Sequence, residues 1–251
     1  MGLHNGLYDG LDNGLHNGLY NNDIGSNPLL VDLSCYYKLN NDSLKSYGTN
    51  DGTDVNGVTY SNVGSIKNSA TYDGINDYTT IIANSDFNFG SKNFGVSLWF
   101  KKKENNRRQE LIGQGNNAGH NETIPFFIGF DSSNILRGYV FYNSGLDVFS
   151  LVSTVSVTDS ALHHVCLTRD KDNFYLFLDN KLISSVDHNF SGATVVSSSN
   201  NMSIGRLGEF NNFYFNGNIY EVGIWKQSIL PYTNKLFNRG VPLSYPFFNK
   251  I

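Results

Sequence analysis

No stretch of the chain stays apolar for the roughly twenty residues that a membrane-crossing helix requires. Insertion into a bilayer is therefore not expected. Met1-Gly2-Leu3-His4 lacks the basic and then hydrophobic character that opens a signal segment. Export by the ordinary route is not expected either, and the Asn-x-Ser/Thr triplets at Asn121, Asn189 and Asn201 read as chance in an asparagine-rich chain. Cysteine is scarce: Cys35 and Cys166 are too few for a disulfide framework, and they read as buried thiols, with one bridge between them left open. Positive charge is also thin. Lys and Arg number 18 against 22 Asp and Glu, and the basic clusters are Lys101-Lys102-Lys103 and Arg107-Arg108. Nucleic acid is not an expected partner, because phosphate binding needs a clustered positive surface. The lysine triplet reads as a solvated strand end.

Catalytic patterns are missing as well. There is no nucleophile elbow, phosphate loop or Cys/His metal spacing. A retaining glycosidase needs two carboxylates about 5 to 5.5 Å apart. The nearest acidic pairs, Asp170/Asp172 and Asp73/Asp77, fall in turns, where carboxylates stay solvated and lack the apolar burial that would make an acid catalyst. Of the six histidines, His4 and His16 lie in a repeat, His120 and His188 in polar loops, and His163 and His164 open a strand. Catalysis is not expected.

What the chain does contain is period-two alternation. Residues 163–186 read as two strands and a turn leading into a third: Val165 and Leu167 alternate with His164, Cys166 and Thr168, and Phe174, Leu176 and Leu178 with Tyr175 and Phe177. Asp170-Lys171-Asp172-Asn173 supplies the turn residues between them. Further strands are predicted near 70–73, 78–82, 94–102, 110–114, 125–130, 135–142, 147–152, 202–206 and 218–226. Residues 40–68 are polar and read as a long surface excursion with one short strand near 58–60. One helix is predicted over 230–238, from Pro231 in its first turn and Gly240 beyond its end. Trp99 and Trp225 sit in apolar strands and read as core. Many short strands between turns predict an all-β, two-sheet antiparallel jelly-roll sandwich with a short C-terminal helix. It is expected over residues 30–251.

The first 29 residues are set apart as a tail and linker. Within them Gly-Leu-x-Asn/Asp runs five times without a break, placing Leu3, Leu7, Leu11, Leu15 and Leu19 four apart. Glycine at every fourth position disfavours a helix, at about 1 kcal/mol each relative to alanine. Drawn as an extended strand, the period puts every leucine on one face. So short a segment cannot bury that face by itself. The leucines are expected to pack against further copies or a larger particle, and a flexible tether is the other reading.

The stretch HHVCLTRDKDNFYLFLDNKL resembles the core hairpin of the laminin-G-like, concanavalin-A-like lectin superfamily. CYYKLNNDSLKSYGTNDGT, ATYDGINDYTTI, FGVSLWFK and FNGNIYEVGIWKQSIL resemble other segments of that family in family order, so that the resemblance covers about residues 30–246. It implies the same jelly roll. Pentraxins, a branch of the superfamily, bridge two cysteines at positions that here are Ser97 and Cys166, so that bridge is absent. The resemblance also implies a calcium site at one rim, whose oxygen ligands would be Asn116, Asn117, Asn121 and Glu122 in one loop and Glu209, Asn211 and Asn212 in another. The second loop opens with Arg206, which repels a cation, and a plain polar loop is the other reading.

The tetrapeptide repeat together with the closing Gly240-Val-Pro-Leu-Ser-Tyr-Pro-Phe247 resembles proteins encoded by tailed phages and other large viruses. The resulting expectation is a non-enzymatic virion structural or adhesion protein, made in the host cytoplasm. It would be attached to virion proteins, or to copies of itself, through residues 1–21, and its lectin-like domain would face host glycans. A free carbohydrate-binding lectin with a flexible tail is the alternative, and a glycoside hydrolase is a third, disfavoured one.

Overall fold

The computed structural model describes residues 27–63, 66–116, 123–187 and 193–247. The leucines of the repeat lie outside this set. In chain order the strands are β1 (Leu33–Tyr37), β2 (Lys45–Tyr47), β3 (Gly52–Val55), β4 (Thr59–Val63), β5 (Ile66–Asp73), β6 (Tyr78–Ile81), β7 (Phe94–Lys102) and β8 (Gln109–Gln114). They continue with β9 (Phe126–Phe130), β10 (Ile135–Tyr142), β11 (Asp147–Ser156), β12 (Leu162–Asp170), β13 (Asn173–Leu178), β14 (Lys181–Asp187), β15 (Met202–Ile204) and β16 (Asn216–Trp225). One sheet runs β14-β13-β12-β7-β16-β1-β2, with β5 and β4 added beside β16; the other runs β11-β10-β9-β8-β15-β6-β3. The pairings are antiparallel, so the predicted two-sheet sandwich is the observed fold.

Alternation builds the layer between the sheets. Phe94, Val96, Leu98 and Phe100 of β7 and Val165 and Leu167 of β12 meet Phe126, Ile128 and Phe130 of β9 and Leu136 and Val140 of β10, all fully or almost fully buried. Each such side chain contributes about 1.5 to 3 kcal/mol by leaving water. The other face of the larger sheet is covered too. There Trp225, Tyr36, Cys166 and Ile229 pack with Leu236, Leu243 and Phe247 of the C-terminal segment. Cys35 belongs to the first core and Cys166 to the second, and both are free, buried thiols.

Four local expectations change. The polar excursion at 40–68 holds three strands, β2, β3 and β4, and the start of β5. The first two are short and largely exposed, so they carry little apolar alternation and are instead fixed by polar bonds such as Lys45 Nζ to Asp51 Oδ1 at 2.9 Å. The predicted helix divides into a 3-10 turn at Leu230–Tyr232, with Pro231 near its start, and α1 (Thr233–Phe237), which ends at Asn238 in the left-handed region. Lys102 is not solvated: its ammonium donates to Asn134 Oδ1 at 3.0 Å and lies 4.6 Å from the centre of the Phe130 ring, and burial lowers its pKa to about 8. Finally, the packed domain already includes Asn27 and Leu29. The Asn27 amide donates to the Pro246 carbonyl at 3.2 Å, and Trp225 Nε1 donates to the Leu29 carbonyl at 2.8 Å.

Candidate functional site

On the outer face of the smaller sheet Phe127, Phe141 and Leu207 form a buried apolar cluster with Tyr139 and Phe210 packed against it, and strand register arranges that face in rows. Glu110 of β8 pairs with Gly129 of β9, and Gly129 with Arg137 of β10. One level along, Gly113 pairs with Phe127, and Phe127 with Tyr139. A polar row therefore runs beside an aromatic one. Together they floor a groove of about 460 Å³, walled by Leu207, Phe210 and Phe213 on one side and reaching Phe141 and Val148 on the other. The Phe127 and Tyr139 rings stack with centroids 4.7 Å apart.

Glycine at position 129 is what makes the polar row possible. A Cβ there would lie 1.8 Å from Glu110 Oε2 and 2.5 Å from the Gln109 carbonyl. Glu110 is 1% exposed, and its carboxyl lies across the bare glycine backbone. Arg108 Nε donates to Glu110 Oε1 at 2.8 Å, whereas Glu110 Oε2 has no partner among the described residues. Burial pushes the carboxyl up to about 7, against the opposing pull of Arg108 and, more weakly, Arg137.

The second acid of the groove is held quite differently. Asp131 opens the β9–β10 turn, where its Oδ1 accepts from the backbone of Ser133 at 2.8 Å and of Ile135 at 2.9 Å, and its Oδ2 pairs with Arg137. Burial by itself would raise its pKa, but those donors outweigh it and hold the group below the usual aspartate value. Arg137 also donates to the Tyr139 hydroxyl at 3.2 Å, while its buried Nε has no partner among the described residues. The Arg108 guanidinium lies over Phe213, its Cζ 3.9 Å from the ring centre, with the Phe127 ring centre at 5.7 Å. Phe213 has φ of 58°, a strained conformation for an aromatic residue, and its carbonyl accepts the Glu110 N–H at 2.8 Å.

A family model described as concanavalin A-like lectin/glucanases superfamily matches residues 73–231, well over half of the chain. The chain belongs to that superfamily. Among curated proteins, none matches it. The binding domain of Paraclostridial Mosquitocidal Protein 1 is similar in structure, with a TM-score of 0.65 at 14% identity over 83% of this chain and 52% of that one. Domain 4 of a GH43 extracellular arabinanase from Geobacillus stearothermophilus, in complex with arabinotriose, gives 0.58 at 16% over 80% and 96%. Trypanosoma rangeli sialidase, in complex with the inhibitor DANA, gives 0.59 at 14% over 82% and 32%. The chain thus spans about half of the first protein and a third of the last. At these identities the likeness is one of fold.

Within this concanavalin A-like domain, Asn116, the described residue of the first loop singled out from the sequence, and the later loop both border the groove. Asn116 lines its mouth, and Leu207, Phe210 and Phe213 come from the later loop. The Gly208 and Glu209 amides donate to the carbonyls of Gly113 and Gly115 at 3.1 and 2.7 Å, tying the later loop to the end of β8. The oxygens proposed for calcium are engaged locally. Asn116 exchanges bonds with Asn200 and Thr123, Glu209 Oε1 accepts from the Asn201 backbone at 3.1 Å, and Asn211 Oδ1 accepts from Arg206 at 3.0 Å. Arg206 itself lies 3.4 Å from the centre of the Tyr78 ring. Asn212 is exposed, and Asn117, Asn121 and Glu122 lie outside the described residues. Among the described residues, no three His, Cys, Asp or Glu side chains gather where they could hold a metal.

Sequence reasoning missed the groove residues Arg108, Glu110, Asp131, Arg137 and Tyr139. A signal was present in Arg137-Gly138-Tyr139-Val140-Phe141, where the non-core parity of a strand carries arginine and aromatics rather than the small polar residues of a solvated face.

Proposed function

We propose that the domain is a non-enzymatic carbohydrate-binding module that serves adhesion, with the groove on the smaller sheet as its site. The observation that carries this reading is the pairing of an aromatic row, with half-buried Tyr139 stacked on buried Phe127, and a polar row, with half-buried Arg137 beside buried Glu110, along one groove. Sugars present apolar C–H faces and polar edges, and such a floor matches both. The complex of the similar arabinanase domain with arabinotriose supports the reading. Hydrolysis is less well served. Glu110 is buried, and both oxygens of Asp131 are committed to its own turn and to Arg137, so no free pair of carboxylates stands among the described groove residues.

The test is a glycan array probed with the full chain and with Tyr139→Ala. Retention of one saccharide class that the variant loses, with unchanged thermal unfolding, supports the groove. Equal retention by both places binding elsewhere.

The finer part of the proposal is display on a virion, assembled through the leucines of the repeat. Its support is the sequence period: five unbroken units put apolar side chains at one spacing, as a self-packing seam requires. Light scattering on the full chain and on a chain starting at Asn27 tests it. An oligomer that requires the repeat supports assembly, and equal masses remove the repeat from that role.

A further inference from the structure

The two guanidinium groups of the groove differ in how their charge is met. Arg137 faces Asp131, a carboxylate held ionised by two backbone N–H groups and by Arg137 itself. Arg108 faces Glu110, a carboxyl buried to 1% exposure whose second oxygen has no partner among the described residues. Arg108 is itself 43% exposed in its side chain. Its Nε is spent on Glu110, and its Cζ lies over the Phe213 ring, so the remaining nitrogens form a braced edge at the groove. A guanidinium edge of this kind matches a carboxylate with two parallel hydrogen bonds.

We propose that this edge of Arg108 is the subsite for the carboxylate of an acidic saccharide, and that Glu110 is an internal counter-ion which the ligand neutralises by drawing a proton onto it from solvent. The proposal rests on the glycan-binding reading and names the class of glycan. With Glu110 ionised, Arg108 is already compensated, and an incoming carboxylate would stand beside a buried like charge. With Glu110 protonated, Arg108 is an uncompensated cation. Where Glu110 starts ionised, one carboxylate binds and one proton is taken up; where it is already protonated, the ligand carboxylate itself balances Arg108. The groups facing Glu110 are Arg108 from the lead-in to β8, Asp131 and Arg137 from β9–β10, the Tyr139 hydroxyl from β10, and on the loop side the Phe213 carbonyl and ring. Of these Arg108 alone bonds its carboxyl, and Arg137, already paired with Asp131, pulls on it more weakly, so little keeps Glu110 ionised once the ligand shares the Arg108 charge.

With the Glu110 pKa near 7, the protonated fraction falls about 30-fold between pH 5.5 and 8.5, and affinity for a carboxylate should fall with it. The experiment is calorimetric titration of the full chain with tetragalacturonic acid and with its methyl ester, at pH 5.5, 7 and 8.5. The expected result is binding of the acid over the ester at pH 5.5, a loss of about 30-fold by pH 8.5, and proton uptake seen as a buffer-dependent heat. Glu110→Gln, which keeps shape and hydrogen bonding, should bind the acid with a flat pH profile. Arg108→Gln should abolish the preference for acid over ester, while Arg108→Lys restores part of it. Equal binding of acid and ester, or acid binding that ignores pH in the parent chain, overturns the subsite and leaves the groove as a site for neutral sugar. Failure of both probes, together with an empty glycan array, overturns the subsite and the glycan-binding reading alike.

Discussion

Ser97 of β7 and Cys166 of β12 stand directly opposite each other in the antiparallel ladder, both buried, and the serine hydroxyl bonds His164 Nε2 at 2.8 Å. Directly paired residues bring their Cβ atoms to about 4.5 to 5.5 Å, near enough for a modest backbone adjustment to admit a bridge. Burial raises the Cys166 thiol to about 12, so the folded protein holds almost no thiolate there. Ser97→Cys should therefore form a disulfide with Cys166 when refolded in oxidant, and resist forming one when oxidised after folding. Thiol titration after denaturation distinguishes the two routes. Chain-entropy estimates give about 4 kcal/mol for closing a loop of this length, less the lost bond to His164. An unchanged thiol count after oxidative refolding would sink the prediction.

Adjacent histidines of β12 should pull stability in opposite directions. Burial drops His164 to about 3, while His163, although burial opposes it, is raised by bonds to Asp179 and Asp159. A group with a depressed pKa contributes stability above its unfolded value of 6.5, and that contribution is lost as pH falls towards 3. His164 should thus cost about 1.4 kcal/mol per pH unit below 6.5. The raised His163 works the other way: its contribution is full below 6.5 and is lost as pH rises through its folded value. Urea midpoints from pH 7 to 4 should show a shallower acid decline in His164→Asn and a steeper one in His163→Asn. Parallel curves for both variants and the parent would contradict this assignment.

The fold was readable because period-two alternation reports the core face directly, as Val165, Leu167, Phe174 and Leu176 do. The 163–186 hairpin and the strands around Trp99 and Trp225 follow from it. Lys102 was misread because a charged residue at a strand end has two outcomes, and only Asn134, 32 positions away, decides between them. The groove was unreadable for a related reason. Glu110, Gly129 and Arg137 form a row only through the pairing of three strands, and each by itself looks like an ordinary surface residue or strand glycine. Asn116 and Phe210 both line the groove, but the sequence does not reveal that Arg206 occupies Asn211.

Glu110 should cost the folded state stability at alkaline pH. Its pKa rises from 4.5 to about 7, so its contribution is full below 4.5 and lost as pH climbs through 7. A shift of this size corresponds to about 3 kcal/mol once both states are ionised. Glu110→Gln removes the ionisation and keeps the shape. It should raise the unfolding midpoint at pH 8.5 relative to the parent and change it little at pH 4.5. A gain of equal size at both pH values would mean that packing rather than charge separates the two proteins.

Gly129→Ala tests whether the carboxyl of Glu110 really lies over the strand. The added methyl meets Glu110 Oε2 at 1.8 Å and, from the backbone, the Gln109 carbonyl at 2.5 Å and Glu110 Cα at 2.8 Å. The side chain can swing away, whereas the backbone contacts require β8 and β9 to part. Overpacking of this kind costs about 1 to 3 kcal/mol. Glu110→Ala in the same chain removes the first contact and leaves the others, so the double variant should recover part of the loss. Two residues in contact typically show a coupling of about 0.5 to 3 kcal/mol. Denaturant unfolding of the parent, both single variants and the double variant completes the cycle. Strict additivity would place the carboxyl elsewhere, and the polar row of the groove would then have to be redrawn.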